Sequence, residues 1–141
     1  MLRHMTEIRV DWGDTDRADV VYYPNYFHYF NIAENELFRS TGRTRKALME
    51  QYRIRFPRRE VFCQFHRPAL WDDLLEIHTV VQEVREKAYR LGFEVFRKGE
   101  PKPLATGRIV TVCLDLDSQQ PRARKIPEEI VRLLRGDVRG H

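Results

Sequence analysis

Three carboxylates, Asp14, Asp16 and Asp19, stand between an alternating apolar run that ends at Trp12 and Pro24, which opens an aromatic-rich helical pattern. A carboxylate placed there faces the end of a helix where backbone N–H groups lack intrahelical partners and the dipole is positive. Those N–H groups can hold an oxyanion, and the carboxylate can attack a carbonyl carbon or activate water. Together they suit acyl transfer to water. An acidic turn before a helix is also a common cap, so the spacing alone leaves a structural role open. Asp14 fits that structural role better, since Asp side chains accept hydrogen bonds from nearby turn backbone. Glu34, on the helical pattern itself, is the rival to Asp16, because an acid on an apolar stripe is costly unless paired or used.

The remaining polar groups read mostly as structure. His28 lies in the first helical turns, where an interior or interface histidine outranks a ligand contact. His66 ends a strand beside Arg67 and reads as structural, and Asp72 and Asp73 read as a turn. Asn31 either faces an acyl pocket lined by the helix aromatics or is buried and bonded to backbone. Cys63 and Cys113 are far apart, with neither metal-ligand spacing nor a His-bearing motif, so they read as two reduced, largely buried thiols. No His-rich or acidic cluster has metal spacing, so no metal is implied.

The elements that must position these groups follow from periodicity. Residues 6–12 alternate, with Ile8, Val10 and Trp12 on one face, and predict a half-buried strand broken by Gly13 to Asp16. From Pro24, the residues Phe27, Phe30, Glu34 and Leu37 recur at helical spacing, with Tyr26, Ala33 and Phe38 widening the stripe until Gly42. A short helix is expected over 44–51, a basic connector over 53–59 and a strand over 60–67, closed by Pro68. Three long alternating runs, 74–85, 88–98 and 103–116, have short connections and predict an antiparallel meander. Gly92 and Gly107 interrupt it and mark bulges or close approach of the helix. A polar loop covers 118–125, and Pro127 to Arg135 reads as a closing helix ended by Gly136. The class is α+β, with one long helix against a five-stranded antiparallel sheet.

At 141 residues the chain is expected to be one domain, 1–141. Its net charge of +4 is scattered among acids. That describes a mixed-charge surface, or a basic rim for an anionic ligand, and no nucleic-acid motif accompanies it. No apolar run is long enough to cross a bilayer, and Met1 to Glu7 is too polar for a signal peptide, so a cytoplasmic protein is expected.

The opening stretch resembles a known signature. Trp12-Gly13-Asp14-Thr15-Asp16, followed by Val21-Tyr22-Tyr23-Pro24-Asn25-Tyr26, is similar to that of the 4-hydroxybenzoyl-CoA thioesterase family of hotdog-fold proteins. Arg67-Pro68-Ala69-Leu70-Trp71-Asp72-Asp73-Leu74-Leu75-Glu76-Ile77 also resembles that family. Glu83-Val84-Arg85-Glu86-Lys87 is similar to its basic turn that meets CoA phosphate. The resemblance implies a hotdog, a sheet wrapped around one long central helix, that hydrolyses an acyl-CoA to free acid and CoA. Asp16 would be the nucleophile or general base, and the Tyr23 N–H would polarise the thioester carbonyl. Arg85 and Lys87 would meet its phosphates; the reading of the helix start itself adds Tyr22, Tyr26 and Asn31 as candidate substrate contacts. The family's sites lie at a dimer interface, often within a tetramer, so a homodimer or homotetramer is implied. No bound cofactor is implied, CoA being part of the substrate, and no membrane partner.

The aromatic helix start hints at an aryl or phenylacetyl-type acyl group, although aromatic walls also pack aliphatic chains. One departure stands out: family members carry glycine where this chain has Asp19. That departure is the best support for an alternative, a non-catalytic acyl-CoA binding or assembly module. A hydratase or dehydratase of the same fold would need a histidine in the Asp16 turn, and there is none.

Overall fold

The computed structural model describes residues 1–137. In chain order the elements are β1 (Arg3–Arg9), α1 (Asn25–Arg39), α2 (Arg45–Tyr52), β2 (Ile54–Arg55), β3 (Arg58–Phe65) and β4 (Leu74–Val84). They continue with β5 (Ala88–Arg97), β6 (Ala105–Val112), β7 (Leu114–Asp115), β8 (Arg122–Ala123) and α3 (Glu128–Arg135). An antiparallel sheet of five strands runs in the order β1-β4-β5-β6-β3, and a smaller one runs β2-β7-β8. This is the expected α+β arrangement, with β1 and β3 left as the edges of the large sheet.

α1 forms where the stripe of large apolar residues repeats. Tyr29, Phe30, Ala33, Leu37 and Phe38 are each at most 1% exposed. Burying a Phe or Leu side chain contributes about 1.5–3 kcal/mol, so this face anchors the helix. Phe30 stacks on Phe93 of β5, with ring centroids 4.3 Å apart. It can do so because a Cβ at Gly107 would stand 2.6 Å from the Phe30 ring. Gly92 serves the opposite face. There β4 carries an extra residue, with the ladder shifting between Val81 and Glu83, and a Cβ at Gly92 would collide with the bulged Gln82. The two glycines therefore divide the two expected roles between them.

Three expectations shift. The first strand starts earlier and stops at Arg9, so Trp12 lies in a turn of 3₁₀ helix (Trp12–Asp14) and is 66% exposed instead of half-buried. The Asp11 side chain caps that turn, accepting from Gly13 N–H at 3.0 Å, and this local bond outcompetes a continued ladder. The run 103–116 is not one strand. At Cys113, whose N–H donates to Lys87 O at 2.8 Å, the chain leaves the large sheet and β7 pairs with β2 and β8. Alternation continues through such a change of sheet, so the pattern does not reveal it. The connector 53–59 likewise holds β2 and the start of β3.

Candidate active site

The chain between Thr15 and Val21 closes into a miniature hairpin. Thr15 bridges Val21, Asp16 N–H donates to Val20 O at 2.9 Å, and Asp19 N–H donates to Asp16 O at 3.1 Å. Asp19 sits at φ 60, the left-handed residue that ends this kind of loop. Glycine takes that conformation freely and Asp tolerates it better than most, so the loop closes with Asp19 at this position. The Asp19 side chain is exposed. The loop is tied to the connection before β4, through Val21 N–H to Ala69 O (2.9 Å) and Trp71 N–H to Asp19 O (3.2 Å).

Within this loop Asp14 and Asp16 diverge. Asp14 Oδ2 accepts from Asp11 N–H at 3.1 Å and from the Tyr29 hydroxyl at 2.8 Å. Its carbonyl accepts from Tyr22 N–H (2.9 Å) and Asn25 Nδ2 (2.8 Å). Burial, then the bond to Asp14, raises the Tyr29 phenol well above its ordinary range. Asp14 thus holds the expected structural place in the turn, and it also ties the loop to the helix through Tyr29. Asp16 is exposed, and its Oδ1 accepts only the Ala18 N–H, at 2.8 Å. Its Oδ2 makes no hydrogen bond among the described residues.

α1 opens without a side-chain cap at Pro24. Asn25 N–H turns back to Tyr22 O and Tyr26 N–H to Tyr23 O. Tyr23 N–H has no acceptor among the described residues, and Pro24 has no N–H to compete with it. Asp16 and Tyr23 border one cavity of about 340 Å³ with Tyr26, Phe65, His66 and Arg67. The Phe65 ring meets those of Tyr26 and Tyr23 edge-on, at 5.1 and 6.3 Å, and Tyr22 meets Tyr23 at 5.3 Å. Burial raises the Tyr26 phenol, keeping it neutral in this wall.

His66 and Arg67 share one anchor, both N–H groups donating to Leu104 O at 2.8 and 3.0 Å. Arg67 is then held by Glu100 (3.0 Å) and Lys102 O (2.7 Å), while His66 Nε2 lies 3.1 Å from Thr106 Oγ1. Sequence reasoning missed the place of Phe65, His66 and Arg67. Their one signal was position, at a strand end directly before Pro68.

The other candidates lie elsewhere. Glu34 is 0% exposed. Its carboxylate accepts from Arg58 Nη1 at 3.0 Å, from Arg58 Nη2 on the other oxygen, and from the Tyr89 hydroxyl at 2.6 Å, with Arg45 Nε 3.4 Å away. Burial, then Glu34, pushes the Tyr89 phenol well up. Asn31 is turned to the same cluster, its Oδ1 accepting from Arg58 Nη2 at 3.0 Å, and it does not border the Asp16 cavity. His28 is exposed. Burial lifts the Cys63 thiol to about 12 and the Cys113 thiol to about 11, and both are free. Among the described residues no three His, Cys, Asp or Glu side chains gather as metal ligands would.

Arg85 and Lys87 lie in the β4–β5 turn. The Asp16 loop is anchored just before β4 begins, and the turn follows its end. β4 has 11 residues, so at about 3.3 Å per residue the two places are roughly 35 Å apart along one chain.

An acid with a free oxygen, an unpaired helix-start N–H and an apolar cavity between them define a class of site suited to acyl chemistry. Residues 10–134 match the model of the thioesterase-like superfamily, and the chain belongs to that family. It is 31% identical over 123 residues to the acyl-CoA thioesterase YbgC of Haemophilus influenzae, covering 87% of this chain and 88% of that one. It is 27% identical over 139 residues to the 4-hydroxybenzoyl-CoA thioesterase of Pseudomonas sp. (strain CBS-3), covering 94% and 99%. Among solved structures it is similar to a gentisyl-coenzyme A thioesterase, with TM-score 0.81, 27% identity, and 93% and 99% covered.

Proposed function

We propose that the protein hydrolyses an acyl-CoA thioester to a carboxylic acid and free CoA. The observation that carries this reading is the pairing, in one cavity wall, of Asp16, with one oxygen unengaged, and Tyr23, with its N–H unengaged. The thioester carbonyl oxygen is placed against the Tyr23 N–H, where the α1 dipole also favours negative charge. Asp16 either attacks the carbonyl carbon, forming a mixed anhydride that water then hydrolyses, or takes a proton from the water that attacks it; on both routes the C–S bond breaks and CoA leaves as the thiolate. Tyr26 and Phe65 wall the acyl group, whereas Tyr22, exposed and edge-on to Tyr23, does not line that cavity. No bound cofactor takes part.

The nucleotide end needs a second copy of the chain. CoA phosphates held by Arg85 and Lys87 of the same copy would be out of reach of Asp16, so another subunit supplies that turn. β3 suits such an assembly. It is an edge strand with Val61, Phe62 and Phe65 each more than 40% exposed, and an unpaired apolar edge invites pairing. The arrangement is a hotdog with α1 as its central helix, assembled as a homodimer or homotetramer. Free thiols at Cys63 and Cys113 agree with a cytoplasmic setting.

The alternative of a non-catalytic acyl-CoA module leans on Asp19, yet the loop closes around Asp19 at φ 60. Thiol release from aryl and aliphatic acyl-CoAs tests the proposal. Steady release from at least one of them is expected. Tight binding of every acyl-CoA without release would replace hydrolysis by the binding reading.

A further inference from the structure

The bulge in β4 does more than bend a strand. Past it, Glu83 lies opposite Arg90, and its two oxygens divide between two guanidiniums. Oε1 accepts from Arg85 Nε at 2.6 Å and Oε2 stands 3.1 Å from Arg90 Nη1. Gln82 Oε1 takes Arg90 Nε at 3.0 Å, from the space that Gly92 leaves open. Glu83, Arg85 and Arg90 border a cavity of about 200 Å³ that Arg59 and Glu60 of β3 also line, with Gln82 holding Arg90 from outside it. Glu60 is engaged by Arg108 at 2.9 Å, whereas Arg59 is exposed and pairs with no carboxylate among the described residues. Three guanidiniums thus surround one hollow. Glu83 and Gln82 hold two of them by some of their N–H groups, and among the described residues both terminal nitrogens of Arg85 and Nη2 of Arg90 have no partner. Arg85, and behind it Arg90, hold the Glu83 carboxyl below the ordinary carboxylate range.

We propose that Arg59, Arg85 and Arg90 form an anion site for a phosphate group, and that Glu83 is its positioning residue. The proposal rests on the reading that this end of the molecule receives the nucleotide of the acyl-CoA. Guanidinium forks match phosphate oxygens bidentately, so their mutual geometry matters as well as their charge. Two cations side by side repel, and a carboxylate shared between them holds them together before the phosphate arrives. The ordering cost is then met in folding instead of in binding. Charge alone makes the opposite forecast, because removing a negative group beside a polyanion's site should tighten its hold.

That opposition of sign is the test. The quantity measured is kcat/KM for an acyl-CoA divided by kcat/KM for the same acyl group on pantetheine, which lacks the nucleotide. Both substrates are read on one preparation, so partial unfolding of a variant cancels. Glu83→Gln is expected to lower this ratio several-fold, through KM for the acyl-CoA. Arg90→Lys, which keeps the charge and loses the fork, should lower it too. An unchanged or raised ratio in Glu83→Gln overturns the clamp, even if Arg85→Ala with Lys87→Ala lowers the ratio and so upholds the nucleotide reading. If that double variant leaves the ratio where it was, the nucleotide reading fails and the clamp fails with it.

Discussion

Asp16 and Glu34 are two carboxylates joined to the same helix, one in the loop before it and one buried within it. Glu34 accepts from two side chains, stands in an ion pair with a third and is sealed from water. Asp16 has one short-range backbone bond on one oxygen and faces a cavity. A buried charge satisfied on both oxygens has nothing left to offer a substrate, and its worth lies in holding α1, α2, β3 and β5 together. An exposed carboxylate aimed by its own loop is the reverse, dispensable to packing and available for bond making. The comparison shows that burial of an acid on an apolar stripe points to a partner as readily as to chemistry.

Substitution should separate the two. Glu34→Ala leaves Arg58 with an uncompensated charge and Tyr89 with a buried hydroxyl, and breaking a buried pair costs about 3–5 kcal/mol. The expected result is a large drop in the denaturation midpoint, with kcat per folded molecule little altered. A stable Glu34→Ala protein that has lost turnover would reverse the roles of the two acids.

Asp16→Asn should do the converse. Loss of a principal catalytic group lowers kcat by about a hundredfold or more, with the melting temperature close to that of the parent. Near-normal turnover in Asp16→Asn would end its assignment.

The smallest effect is expected at Asp19. Glycine takes φ 60 without the side-chain clash, so Asp19→Gly should change stability by under about 1 kcal/mol, the gain in the turn being offset by greater freedom of the unfolded chain. Because the Asp19 side chain is exposed, the acid limb of the kcat/KM profile should stay in place. A downward move of that limb by about a pH unit in Asp19→Gly would show that Asp19 repels charge at Asp16 and belongs to the site.

Much of this could be read without coordinates because it is local. The alternation of β1, the 3.6-residue stripe of α1, the acidic break between them and the meander of long strands each reside in consecutive residues. So does the tolerance of Asp for the left-handed position that Asp19 occupies. What only the tertiary structure decided depends on residues distant in sequence. Arg58 reaches Glu34 and Asn31 across 24 and 27 positions, and nothing in the helix pattern says that an arginine of the connector will be there. Phe65, His66 and Arg67 enter the Asp16 cavity because the β3–β4 connection is tied to the hairpin loop. The departure of the chain at Cys113 into a second sheet leaves its alternation intact. Periodicity records which face of an element is apolar; which element meets that face, and which of two acids finds a cation there, is settled by packing alone.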